Sequence, residues 1–70
     1  MARTLRSYLT SILCREGFSS QGEMFRDAQM IGYSGEQEKL VDAADRLAEK
    51  GVLDLRIRGI HQNKWYRLVA

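Results

Sequence analysis

The sequence holds one cysteine, Cys14, so no disulfide can close within its 70 residues and the fold must be held by packing. That scarcity suits a reducing compartment, and a cytoplasmic location is expected. Long apolar runs are missing as well. After Arg3 and Arg6 the hydrophobic residues are interrupted by Ser7, Thr10 and Ser11, which leaves neither a signal-peptide core nor a membrane span. There is one histidine, His61, and it falls in a turn far from Cys14, so no metal-ligand cluster and no cofactor is expected. Cys14 has no second cysteine and no local histidine to activate it. A small half-buried side chain is the expectation there rather than a nucleophile, and no enzyme activity is expected of the chain. A large charge excess is also lacking: 11 Lys and Arg stand against 9 Asp and Glu. That balance is compatible with a nucleic-acid partner and does not demand one.

What is present is the composition of an ordinary globular protein, 44% hydrophobic and 29% charged, with no low-complexity tract or repeat. One domain over residues 1–70 is expected, and a chain this short buries only about 60% of the surface its unfolded form exposes. Leu5, Tyr8, Leu9, Ile12 and Leu13 make the stripe of an amphipathic helix over about 4–16, which Gly17 would close and onto which Phe18 would fold back. Ser20 and Glu23 have capping-box spacing and open a shorter helix over about 21–31, with Met24, Phe25, Ala28 and Ile31 on one side. Ser34 and Gln37 repeat the spacing before a third helix over about 35–50, whose stripe is Leu40, Val41, Ala44, Leu47 and Ala48. After Gly51 the period falls to two. Leu53, Leu55 and Ile57 alternate with Asp54, Arg56 and Arg58 in a strand over about 52–58, and a second strand over about 64–69 turns Tyr66 and Leu68 to the core. Residues 59–63 supply the hairpin turn. The fold class expected is α+β, a three-helix bundle followed by a two-stranded antiparallel hairpin.

That order, with Leu47-Ala48-Glu49-Lys50-Gly51-Val52-Leu53 and then Lys64-Trp65-Tyr66-Arg67-Leu68, resembles the winged-helix family over nearly the whole chain. The resemblance implies a helix-turn-helix whose third helix enters the major groove of double-stranded DNA and a hairpin wing beside it, commonly in a transcription regulator. The third helix carries Glu36, Glu38, Asp42, Asp45 and Glu49 against Lys39, Arg46 and Lys50, a net −2 that would be repelled by phosphates. Its simplest account is a solvated face with pairs such as Asp42 and Arg46. The wing region, 52–70, is net +3.

A DNA-binding reading therefore rests mainly on Arg56, Arg58, Lys64 and Arg67, with Trp65 available to stack. Gln37, Lys39 and Arg46 would add contacts from the third helix, and Arg6 would reach a neighbouring phosphate. The plainer account of the wing is a charged edge that guards against strand-to-strand aggregation. The alternative function is a protein-interaction module presenting Glu38, Asp42, Asp45 and Glu49 to a basic partner, or a homodimer in which Met30, Tyr33 and Trp65 extend an apolar patch. Core or core-rim packing of those three residues is the plainer expectation.

Overall fold

A computed structural model describes residues 4–69. Arg3, named above with Arg6, lies outside them. The described residues are α+β: three helices and a three-stranded antiparallel sheet, in the order α1 Leu5–Ile12, β1 Ser19–Ser20, α2 Gln21–Met30, α3 Gln37–Glu49, β2 Leu53–Arg58 and β3 Asn63–Leu68.

Thr4 caps α1 by accepting from the Ser7 N–H at 3.1 Å. The helix stops four residues short of the expected end. Leu13 is 1% exposed and turns into the core, whereas residues 14–17 have nothing apolar to bury and run exposed to Gly17, whose φ of +85° redirects the chain. Cys14 is exposed, not half-buried. Phe18 does not fold back onto α1; it lies against the sheet. The next two residues form a strand the period did not reveal: Ser19 pairs with Tyr66 and Ser20 with Trp65. The hairpin is thus part of a sheet ordered β1-β3-β2, and the two-stranded expectation is corrected.

Ser20 also accepts from the Glu23 N–H at 3.3 Å and so caps α2. The Glu23 carboxylate is held by Arg15, 3.2 Å away, which also donates to Ser19 Oγ at 2.6 Å and lies 3.7 Å from Asp27. One arginine thereby ties the α1 exit to the first two turns of α2. Met24 and Ala28 are buried as the stripe requires. Ile31 lies beyond the helix end and is 40% exposed, and Met30, expected at the core or its rim, is 79% exposed.

The link to α3 is set by Tyr33. Its hydroxyl donates to the Glu36 carbonyl at 2.7 Å, and its ring stands edge-on to Tyr8 and Phe25 with centroids 5.3 and 6.4 Å away. That anchor fixes where α3 can start. Ser34 does not cap it; Glu36 occupies the cap position without a side-chain bond, and the helix begins two residues later than expected. Burial and the nearby Glu36 charge raise the Tyr33 pKa above its usual value.

In the hairpin, Leu53 pairs with Leu68, Asp54 with Arg67, Leu55 with Tyr66, Arg56 with Trp65, Ile57 with Lys64 and Arg58 with Asn63. Opposed residues share a face. Leu53, Leu55, Tyr66 and Leu68 therefore face the helices; Leu53 and Tyr66 are buried, and Leu55 and Leu68 partly so. Ile57, expected in the same core stripe, is 58% exposed, because β2 runs out past the helical layer. The core joins Leu9, Leu13, Met24, Leu40, Ala44, Leu53 and Tyr66.

Candidate nucleic-acid interface

Along α3 the exposed charges are sorted, which a net charge conceals. At about 100° per residue, Glu38, Asp42, Asp45 and Glu49 occupy one arc of roughly 60°, and Lys39, Arg46 and Lys50 the adjoining arc of roughly 40°. The apolar positions of α3 aim Leu40, Ala44 and Leu47 inward, so both arcs lie on the outer side of the helix, with Asp45, at the edge of the acidic arc, half-buried toward the sheet. The basic arc runs beside the start of α1. There Leu5, Arg6, Lys39, Asp42, Ala43, Arg46, Leu47 and Lys50 line a groove of about 350 Å³. Four cations thus border one groove against one carboxylate, and none of the four is in an ion pair among the described residues. The Asp42–Arg46 pair expected along the helix is not formed. From Lys39 to Lys50 the basic arc extends about 16 Å along the axis.

The wing cations are placed differently. Lys64, expected beside Arg56 and Arg58, lies on the inner face of the sheet opposite Ile57, and its Nζ is 3.2 Å from Asp45 of α3. Asp45 also accepts from the Tyr66 hydroxyl at 2.5 Å. Burial raises the Tyr66 pKa well above its ordinary value, and the Asp45 hydrogen bond and charge add to it while a bond from Gln21 opposes it.

On the outer face Arg56 and Arg67 flank Asp54 at 3.8 and 3.5 Å, and both guanidinium groups lie over the Phe18 ring, 5.6 and 4.9 Å from its centre. Arg58 alone of the four wing cations has no such partner among the described residues. It lines a groove of about 260 Å³ with Phe18 and half-buried Trp65. At the turn, Gln62 N–H donates to the Gly59 carbonyl at 3.1 Å, with Gly59 and Gln62 at φ +86° and +53°.

The structure therefore gathers Arg6, Lys39 and Arg46 into one groove and adds Lys50, which a helical projection of the sequence would have found. Gln37 sits in the first turn of α3, on the side away from Lys39. Of the acidic set, Asp45 is engaged by Lys64 and Tyr66, Asp42 borders the basic groove, and Glu38 and Glu49 are exposed. Phe18, unforeseen at the wing, joins it because β1 draws it onto the sheet. Among the described residues no group of three or more His, Cys, Asp or Glu could hold a metal ion, and no helix is long and apolar enough to cross a membrane. The chain matches no family model, no curated protein and no solved structure.

Proposed function

We propose that the chain is a small DNA-binding protein of the winged-helix type, a transcription regulator that grips duplex phosphates with the groove between α1 and α3. The observation that carries this reading is the convergence of Arg6, Lys39, Arg46 and Lys50 on one groove, with none of them paired to a carboxylate among the described residues. A cation already paired has to break that pair to bind phosphate; an unpaired one has only solvent and counterions to exchange. Arg58, at the far end of β2, supplies a further contact from the wing. The weight of binding falls on the helix whose charge sum is acidic rather than on the wing, where positive charge is densest in sequence. The link of residues 31–36 between α2 and α3, followed by the hairpin, supports the winged-helix assignment.

The test is an amide NMR titration with a mixed-sequence duplex at about 50 and then 200 mM salt. Shifts at Leu5, Arg6 and 39–50, with a smaller set near Arg58, that fade at the higher salt are the expected result. Absence of shifts at the lower salt would overturn the reading.

Exposed Glu38 and Glu49 favour a second reading, a basic protein partner docked on the acidic arc. Asp45 contributes little to it, being already hydrogen-bonded and ion-paired within the chain.

A further inference from the structure

The strand order leaves β2 on the edge of the sheet over six residues, Leu53–Arg58, whereas the opposite edge, β1, has only two. The phase of its free backbone groups follows from its bonding to β3. The Val69 N–H donates to the Val52 carbonyl at 3.0 Å, so the pair one step before Leu53 and Leu68 is a hydrogen-bonded one. Bonding alternates in an antiparallel ladder. Asp54, Arg56 and Arg58 consequently turn their backbone N–H and C=O toward β3, and Leu53, Leu55 and Ile57 turn theirs outward.

We propose that this edge joins two copies of the chain, β2 against β2, antiparallel about a two-fold axis at Leu55, to make one continuous six-stranded sheet. The register follows from bonding phase and charge. Outward-bonding residues must meet outward-bonding residues, which leaves three central registers, with the axis at Asp54, Leu55 or Arg56. An axis at Asp54 sets that carboxylate against its own copy, and an axis at Arg56 does the same with two guanidinium groups; directly opposed like charges are destabilising. The axis at Leu55 sets Asp54 opposite Arg56 of the second copy, twice. An edge guarded against aggregation carries charges that repel a copy of itself. Here the alternation of Asp54 and Arg56 is complementary to its own copy.

The inner face agrees with this register. It brings Ile57 of one copy opposite Leu53 of the other, beside a groove of about 510 Å³ whose walls include Ala48, Glu49, Leu53 and Leu55. Ile57 is 58% exposed in the single chain. In the pair its side chain lies opposite Leu53 of the second copy, which gives a reason for a β-branched apolar residue past the end of the helical layer. The proposal does not depend on what the basic groove binds.

Sedimentation equilibrium on the full chain tests it. A reversible monomer–dimer equilibrium is expected; a chain that stays monomeric to about 1 mM, or that grows into open-ended oligomers, overturns it. Asp54→Lys and Arg56→Asp should each weaken association by about tenfold or more, and the double variant Asp54→Arg with Arg56→Asp should recover it. Failure of the swap to recover association, with circular dichroism unchanged, overturns the charge pairing. The Asp54 pairs within the chain are exposed and contribute little to the fold.

Register is read by cross-linking in a Cys14→Ser background. Leu55→Cys faces itself at about 5.5 Å between Cα atoms, within disulfide range, and should cross-link fastest on mild oxidation. Faster cross-linking of Asp54→Cys or Arg56→Cys overturns the axis at Leu55.

Discussion

In the sheet, Arg56 and Arg67 share Asp54 at 3.8 and 3.5 Å and Lys64 holds Asp45 at 3.2 Å; in the groove between α1 and α3, Arg6, Lys39, Arg46 and Lys50 hold no carboxylate among the described residues. Segment sums rank these regions the other way round, the wing basic and the third helix acidic. The reason is that pairing crosses segment boundaries. Asp45 is counted with the helix but neutralises a wing lysine, and Asp54 is counted once though it serves two arginines. What a surface offers a polyanion is set by cations left without partners in the folded chain, not by the sum along a stretch of sequence.

The largest effect expected from this contrast comes from reversing charge in the groove. Lys39→Glu with Arg46→Glu, both exposed, should lower duplex affinity on the order of 100-fold at low salt and reduce the salt slope by about 0.9 per lost contact, read by fluorescence anisotropy. Arg56→Ala with Arg67→Ala should change affinity by less than about threefold in the same assay. Equal losses in the two double variants would erase the distinction between paired and free cations.

Asp45→Ala cuts both ways, which makes it informative. It removes the acceptor of the buried Tyr66 hydroxyl and should cost about 1–3 kcal/mol of stability in urea denaturation. It also frees Lys64 and deletes a negative charge, so duplex binding should strengthen by a few-fold at low salt while the fold weakens.

The same cluster predicts an alkaline limit. Tyr66 holds its proton more tightly when folded than when unfolded, first through burial and then through Asp45. Its contribution is therefore complete below the unfolded tyrosine pKa of about 10 and is lost as pH rises above it. Thermal melts between pH 9 and 11 should show a steady fall in Tm, and Tyr66→Phe should flatten that slope. The smallest expected effect is that of Arg58→Ala, a loss of about one unit of salt slope with stability unchanged, since the side chain has no ion pair to lose among the described residues.

Much of the fold was legible because burial follows period. The stripes of α1, α2 and α3 and the alternation at Leu53 and Leu55 identified the elements and most of the core. The errors fall where a distant side chain sets a local boundary. Leu13 leaves α1 for the core, and Tyr33 places the start of α3 by bonding Glu36 beneath Tyr8 and Phe25, so Ser34 never acts as a cap. β1 is two serines with no period of its own; it exists because β3 has a side to cover. For the candidate site, Arg6, Lys39 and Arg46 could be named from sequence. Their grouping could not, since it depends on α1 lying beside α3. Nor could the capture of Lys64, because Asp45 is 19 residues earlier in the chain.

β3 is the latest of the six elements in sequence and the middle strand of the sheet. A growing chain that has reached Arg58 holds three helical segments and two strand segments, β1 and β2, with nothing to pair with, and Leu53 and Leu55 face a core that Tyr66 has yet to fill. The hairpin then closes locally across the turn at 59–62, while β1 waits for a partner some 45 residues away, a far more costly loop in entropy. Sheet formation is thus a late and nearly single event, with the attachment of β1 its last step. Amide exchange at Ser19 and Ser20 should report that last closure separately from the hairpin.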